Sequence, residues 1–220
     1  MLPEVIIHNQ ISLDGSIKGF DFDMGTYYKI AIGYKPDIIL VGSVTARSGI
    51  KKISLEKKTD FKKPKIIKGD SRPYWVIPDS HGILESFLHM FRGFDYCKDV
   101  IILVTEKTPL SYLKYLKQRE YDYIVSGKEY IDYRKILEIL AEKYNSKKIL
   151  TDSGGILNSI LIKQGLVTEI SIIISPVLVG RKGTGLFRNL DLPSGFKLKL
   201  LRNKIIDSNC LLLVYKVLKS

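Results

Sequence analysis

Cysteine is nearly absent. Two residues, Cys97 and Cys210, stand in a chain of 220, too few for a disulfide framework and suited to a reducing compartment. The three histidines, His8, His81 and His89, have no metal-ligand spacing with the cysteines, so zinc is not expected and no metal site is assigned. No run approaches the roughly 18 uninterrupted apolar residues of a membrane helix, which excludes a helical span. The start, MLPEVIIHNQ, carries a carboxylate where a signal peptide is basic, and no long apolar run follows; the expectation is a cytoplasmic protein. Serine-centred nucleophile elbows are missing too. Gly180-Arg181-Lys182-Gly183-Thr184-Gly185 lacks the strand-to-helix context and the GK[ST] ending of a P-loop, and reads as a flexible loop.

Acids are scarce beside bases: 23 Asp and Glu against 35 Lys and Arg, a net charge of +12. A polyanionic partner is one reading of such an excess. The excess is dispersed, however. Its densest run, KKISLEKKTDFKKPKIIK from Lys51 to Lys68, interleaves acids and apolar residues, as a solvated lysine-rich face does. Nucleic-acid binding is therefore not favoured, whereas a small phosphorylated substrate or a phosphate-bearing cofactor suits the field. Trp75 and the thirteen tyrosines are scattered through apolar patterns and fit core packing better than base stacking.

Hydrophobic residues make up 45% of the chain, enough for a core, so disorder is excluded as the main state. Short β-branched runs bounded by turn residues recur at Val5–Ile7, Ile38–Val41, Trp75–Ile77, Val100–Val104, Tyr123–Val125, Lys148–Leu150 and Ile170–Ile174. Continuous apolar runs of this length suit strands covered on both faces. Stretches with helical spacing lie between several of them: Tyr27, Ile30, Ala31 and Tyr34; Leu110, Leu113 and Leu116; Ile136, Leu137, Leu140 and Tyr144. Alternation of this kind predicts an α/β domain with a mostly parallel sheet flanked by helices. From Glu169 onward no helix-length apolar pattern separates Glu169–Val177, Lys197–Leu201 and Leu211–Val217, so antiparallel strands are expected at the C-terminal end and the sheet is mixed. Neither repeat nor low-complexity linker interrupts the chain. One domain over residues 1–220 is the economical reading, with a lysine-rich insertion or flap at about 51–72 holding Pro64 and Gly69.

In open α/β sheets ligands bind at the carboxyl ends of strands, where helix N-termini present unpaired N–H groups. Two strand-to-helix turns stand out. The first, Ile149-Leu150-Thr151-Asp152-Ser153-Gly154-Gly155, runs into an apolar helix closed by Gly165. Its paired glycines fit either close approach of a pyrophosphate to the helix start or a tight turn needing positive φ, and pattern alone leaves both open. The second is Val41-Gly42-Ser43-Val44-Thr45, where Ser43 or Thr45 caps a helix or donates a hydroxyl to phosphate.

These residues give the chain a resemblance to the pyrimidine reductases of riboflavin biosynthesis, the family that also forms the C-terminal half of the bacterial bifunctional deaminase-reductase and shares the dihydrofolate reductase fold. Ile11-Ser12-Leu13-Asp14-Gly15 resembles its SLDG element, and Val41 to Thr45 its GSGT turn. Asp79-Ser80 resembles its D-S pair, and Thr151 to Gly155 stands where the family has E-G-G-G. Gly165-Leu166-Val167-Thr168-Glu169, leading to Ser175-Pro176-Val177-Leu178-Val179-Gly180, is similar to GLVDE…P…G.

The resemblance implies a homodimer, NADPH as cofactor, and a phosphorylated small-molecule substrate. It implies cofactor contacts at Ile11, Gly42, Thr45, Ser80, Gly154, Gly155, Ile156, Leu157, Asn158, Ser159 and Ile160, the bends beside Gly42 and Gly154-Gly155 serving one cofactor. Asp14 and Asp152 are the candidate catalytic residues, and for Asp14 the turn-forming role of an Asp-Gly pair competes with catalysis. The implied reaction converts a diamino-ribosylamino-pyrimidinone 5′-phosphate to its ribitylamino form. After the GSGT-like turn the family usually continues with an acidic pair, proline and an LTVR-like segment, where this chain reads Ala46-Arg47-Ser48-Gly49-Ile50-Lys51. That departure keeps two alternatives open: an NADPH reductase of a pterin, folate or other small carbonyl or imine compound, and a non-catalytic basic nucleic-acid-binding protein on the same scaffold.

Overall fold

Apolar β-branched runs become strands and the 3.6-spaced stripes become helices in the computed structural model, which describes residues 1–21, 23–50, 53–191 and 196–218. In chain order the elements are β1 (Glu4–Ser12), α1 (Met24–Gly33), β2 (Ile38–Leu40), α2 (Ser43–Gly49), β3 (Tyr74–Pro78), α3 (Leu88–Arg92), β4 (Val100–Val104), α4 (Leu110–Gln118), β5 (Asp122–Val125), α5 (Tyr133–Tyr144), β6 (Lys148–Thr151), α6 (Gly155–Lys163), β7 (Glu169–Ser175), β8 (Leu198–Ile206) and β9 (Cys210–Val217). They fall into two units, one of residues 1–2 and 37–147, the other of residues 3–36 and 148–220.

In the first unit the strands lie in the order β5-β4-β3-β2, every neighbouring pair parallel. All five residues of β4 are buried, as a parallel strand covered on both faces requires. Trp75, Leu88, Phe91, Val100, Ile102, Tyr112 and Leu116 belong to one core cluster. Within α3, only five residues long, a helical period has no room to show, and the sequence gives it no signal. Arg92 at its end joins four places: its guanidinium bonds Asp99 at 2.8 Å and the carbonyls of Arg119 and Glu120 at 3.0 Å each, and lies 3.8 Å over the Tyr121 ring.

Of the expected lysine-rich insertion or flap at about 51–72, residues 53–72 are described and Lys51 and Lys52 lie outside the described residues. Glu56 bonds Arg119 at 2.6 Å and accepts from Tyr115 at 3.1 Å, Lys63 reaches Asp122 at 2.7 Å, and Ser54 lies 3.1 Å from His89. The segment is stapled along the unit by its acids and lysines, which a pattern of apolar residues cannot reveal.

The second unit orders its strands β6-β1-β7-β9-β8. The β1 pairings with β6 and β7 are parallel, and those of β9 with β7 and β8 antiparallel. The mixed, mostly parallel arrangement with an antiparallel C-terminal end agrees with the expectation. Gly165, at φ +63°, ends α6 in the left-handed conformation that glycine adopts at no steric cost. β8 is exposed along nearly its whole length.

Candidate active site

β6 carries the chain to Thr151, fully buried, and Asp152-Ser153-Gly154 turns it into α6. Gly154 is the helix N-cap with φ −77° and ψ 176°, so the paired glycines do not serve a positive-φ turn. No side chain caps α6 and no acid stands in its first turn, an electrostatic setting that suits an anion at the helix start. Gly155 has a different task. A Cβ there would meet the Gly185 carbonyl oxygen at 2.8 Å and the Arg188 backbone nitrogen at 3.0 Å, and its own carbonyl accepts from Arg188 N at 3.2 Å. Its bareness admits the chain's own backbone. Gly155→Ala is expected to lower the unfolding free energy by about 1–3 kcal/mol, as overpacking does; a urea midpoint unchanged from wild type contradicts this.

The residues after it differ in what they present. Ile156 is 60% exposed and Ile160 half-buried, while Leu157, Asn158 and Ser159 are buried. The Asn158 side chain donates to Asn9 Oδ1 at 2.9 Å and to the Ser153 carbonyl at 3.1 Å, and accepts from Thr151 Oγ1 at 2.9 Å. Asn9 donates to the same Ser153 carbonyl at 2.9 Å. This network fixes the turn from below and engages both the nitrogen and the oxygen of the Asn158 side chain. Sequence reasoning gave no role to Asn9 or to the Thr151 side chain; the available signal was the polar run His8-Asn9-Gln10 continuing the apolar start of β1 and an amide, Asn158, inside the largely apolar α6.

Asp152 is half-buried at the turn. Its Oδ1 is 2.8 Å from the Tyr27 hydroxyl and its Oδ2 3.4 Å from that of Tyr28, and desolvation pushes its carboxyl above the usual carboxylate range. Tyr27 is also 2.9 Å from the His8 carbonyl oxygen and stacks on the His8 ring with centroids 4.7 Å apart. Burial lowers the His8 imidazole to about 4. The tyrosines come from α1, whose apolar stripe reads as core until the fold brings it over the end of β6.

Asp14 is placed otherwise. Its carboxylate accepts from Ser12 Oγ and from the backbone N–H groups of Val179 and Gly180, at 3.2 and 2.7 Å, and these bonds lower it to about 2. Through these bonds Asp14 fastens the 177–180 loop to the end of β1, the turn-forming role that competes with catalysis at this residue. Ile11 lies next to it in β1, half-buried.

In the other unit, Gly42 itself is the N-cap of the seven-residue α2, at φ −64°, and no side chain caps the helix. The capping role expected of Ser43 or Thr45 is therefore absent, because both already lie inside the helix. Thr45 is half-buried, and its carbonyl accepts from Ser48 Oγ at 2.8 Å. Arg47 lies 3.6 Å over the Phe87 ring. Ser80, half-buried, follows β3 in a turn organised by Asp79, whose buried carboxylate accepts from Ile83 N and Leu84 N at 3.0 Å each and from Tyr112 Oη at 2.9 Å. Asp79 thus holds the turn that presents Ser80.

A cavity of about 360 Å³ in the second unit is lined by residues including Gln10, Asp21, Asp23, Ser175, Asp207 and Cys210, with no lysine or arginine among the described residues of its lining. Carboxylates without a base make it a poor seat for phosphate. Of its lining, Ser175, Pro176 and Val177 belong to the GLVDE…P…G-like stretch.

Comparison with known proteins now decides the family. The model of the RibD C-terminal domain matches residues 3–212. The chain belongs to that family, a family of pyrimidine reductases. A curated relative from Aquifex aeolicus, the 2,5-diamino-6-ribosylamino-4(3H)-pyrimidinone 5′-phosphate reductase, is 26% identical over 189 residues, covering 81% of this chain and 79% of the relative. Among solved structures, a pyrimidine reductase-like protein from Corynebacterium diphtheriae is 15% identical with a TM-score of 0.75, over 99% of this chain and 93% of its own. Dihydrofolate reductase from Enterococcus faecalis, complexed with NADP(H), reaches a TM-score of 0.52 at 9% identity, over 97% and 96% of the two chains. The fold of this RibD-type domain is thus dihydrofolate reductase-like. No helix among the described residues is long and apolar enough to cross a membrane.

Proposed function

We propose that this RibD-type domain is an NADPH-dependent reductase that converts a diamino-ribosylamino-pyrimidinone 5′-phosphate to its ribitylamino form. Beyond family membership, the observation that carries the reading is the β6-to-α6 turn, where a helix start with neither side-chain cap nor acid stands directly after a raised carboxyl. NADPH would supply a hydride. The chain's own residues would bind, orient and shield: main-chain N–H groups at Gly155 to Leu157 would meet a cofactor phosphate. Asp152 would face the pyrimidine. Ile11 in β1 would lie near the nicotinamide. The acid-lined cavity leaves the substrate phosphate to basic groups elsewhere.

Thermal-shift titration tests the cofactor. NADPH at a hundredfold excess over its dissociation constant is expected to stabilise the protein by about 2.7 kcal/mol, with NADP and NADH as comparisons. No shift with any of the three overturns the reductase reading. Nucleic acid binding with a steep salt dependence in its place would support the non-catalytic alternative. Loss of the acidic segment after Thr45 supports a second reading, reduction of a pterin, folate or other small imine or carbonyl compound, which a substrate screen following NADPH absorbance separates from the first.

A homodimer belongs to the same proposal. Leu198, Leu200, Leu201 and Ile205 of β8 are 42%, 45%, 48% and 75% exposed, and these apolar side chains, interleaved with Lys199, Arg202 and Lys204, form the surface on which we place the partner. Light scattering at twice the monomer mass is the expected result.

A further inference from the structure

The hydrogen bonds around Tyr27 raise a question of proton count. Its hydroxyl oxygen is 2.9 Å from the His8 carbonyl oxygen and 2.8 Å from Asp152 Oδ1. A phenol has one proton, and a carbonyl oxygen can only accept. If the Tyr27 proton lies on the Asp152 side, the phenol and the His8 carbonyl meet lone pair to lone pair at hydrogen-bond distance in a buried place, which costs about 1–3 kcal/mol as an unmade bond does. Both contacts are satisfied only when the proton between Tyr27 and Asp152 belongs to Asp152.

From this geometry we infer that Asp152 rests as a neutral carboxylic acid, donating to Tyr27 while Tyr27 donates to the His8 carbonyl, and that this stored proton is the one delivered to substrate. The surroundings agree. The ionisable groups facing Asp152 are Tyr27 and Tyr28 of α1, with His8 of β1 behind Tyr27. Among the described residues no lysine or arginine acts on its carboxyl, desolvation raises it, and His8 is itself held neutral. Tyr27 is pushed far above 10.0 and stays a phenol.

The role in turnover rests on the reductase reading above. Opening the ribosyl ring of such a substrate gives a C=N bond. Hydride from the dihydronicotinamide forms the new C–H bond at carbon, the Asp152 O–H bond breaks, and the nitrogen takes that proton as a new N–H. The substrate gains two electrons, NADPH becomes NADP⁺, and Asp152, left as a carboxylate, regains a proton from water on its exposed side. Tyr27 is a positioning residue.

The test reads the proton directly. In protein labelled with ¹³C at aspartate side chains, the Asp152 resonance is assigned by its absence in Asp152→Asn. It is expected at the protonated shift near about pH 6, where an ordinary aspartate is fully ionised. Tyr27→Phe gives the sign: removing the acceptor of the acid proton lowers the Asp152 midpoint, whereas removing a donor to a carboxylate would raise it. An ionised Asp152 at that pH, or a midpoint that rises in Tyr27→Phe, overturns the inference whatever the enzyme assays give. In turnover, Asp152→Asn is expected to lose about a hundredfold in kcat with NADPH affinity kept, and wild-type kcat in that variant overturns the donor role. Failure of wild-type protein to bind NADPH strikes the reductase reading instead, and the resonance position separates the two.

Discussion

Asn158→Leu is expected to lower the unfolding free energy by about 3 kcal/mol, although leucine fills nearly the same volume and removes no apolar contact. Asn158 is fully buried and serves three partners at 2.9, 3.1 and 2.9 Å. Its replacement strands the Asn9 side-chain oxygen and the Thr151 hydroxyl away from water, each costing about 1–3 kcal/mol. The Ser153 carbonyl keeps its bond from Asn9 at 2.9 Å, so the turn loosens without collapsing. NADPH affinity should therefore fall as well, because main-chain N–H groups bind an anion only while the turn holds them in place. Ile156→Ala is the contrast: with Ile156 60% exposed, its cost should stay within about 0.5 kcal/mol. Urea unfolding and calorimetric titration of the two variants check this. Equal stability in Asn158→Leu and wild type would mean that the network has no net worth.

Acid should weaken the same unit through His8. Its ring is buried, lowered from 6.5 to about 4, with Nδ1 on Ser171 Oγ at 2.9 Å and no partner among the described residues for Nε2. The folded pKa lies below the unfolded one, so the neutral ring contributes nothing to pH dependence above about 6.5. The unfolded chain takes up the proton first as pH falls, and stability is lost between 6.5 and about 4, reaching about 3 kcal/mol. Asp152 acts with the opposite sign, since a carboxyl raised by burial favours the folded state as it gains a proton. The total curve mixes the two. The difference between wild type and His8→Phe, which keeps the stack on Tyr27, isolates the histidine: the variant should lack the loss from 6.5 to 4. Parallel curves across that window would show that His8 charges without penalty.

Much of the strand and helix order can be read from the chain because it is written locally. Val100–Val104 is a continuous apolar run and becomes β4 with the same bounds, and Gly165 stops α6 where the glycine falls. Runs hold less well at their ends. Val5–Ile7 extends to Ser12, because His8, Asn9 and Gln10 are polar yet buried, and a buried polar residue looks like a surface residue until its partner is known.

The sequence by itself determined the alternation of strands and helices, the antiparallel ending, the bends at Gly42 and at Gly154-Gly155, and, through short motifs kept in order, the family. Tertiary structure decided what those bends and carboxyls are for. It assigned Gly155 to the backbone of Gly185 and Arg188, turned Asp14 into a fastener for a loop 165 residues away in the chain, and set the hydroxyls of α1 against Asp152, 125 residues further on. Apolar period and glycine placement act on neighbours in the chain and so leave a local trace. A proton's owner, or the reason a glycine is bare, depends on atoms that only folding brings within 3 Å.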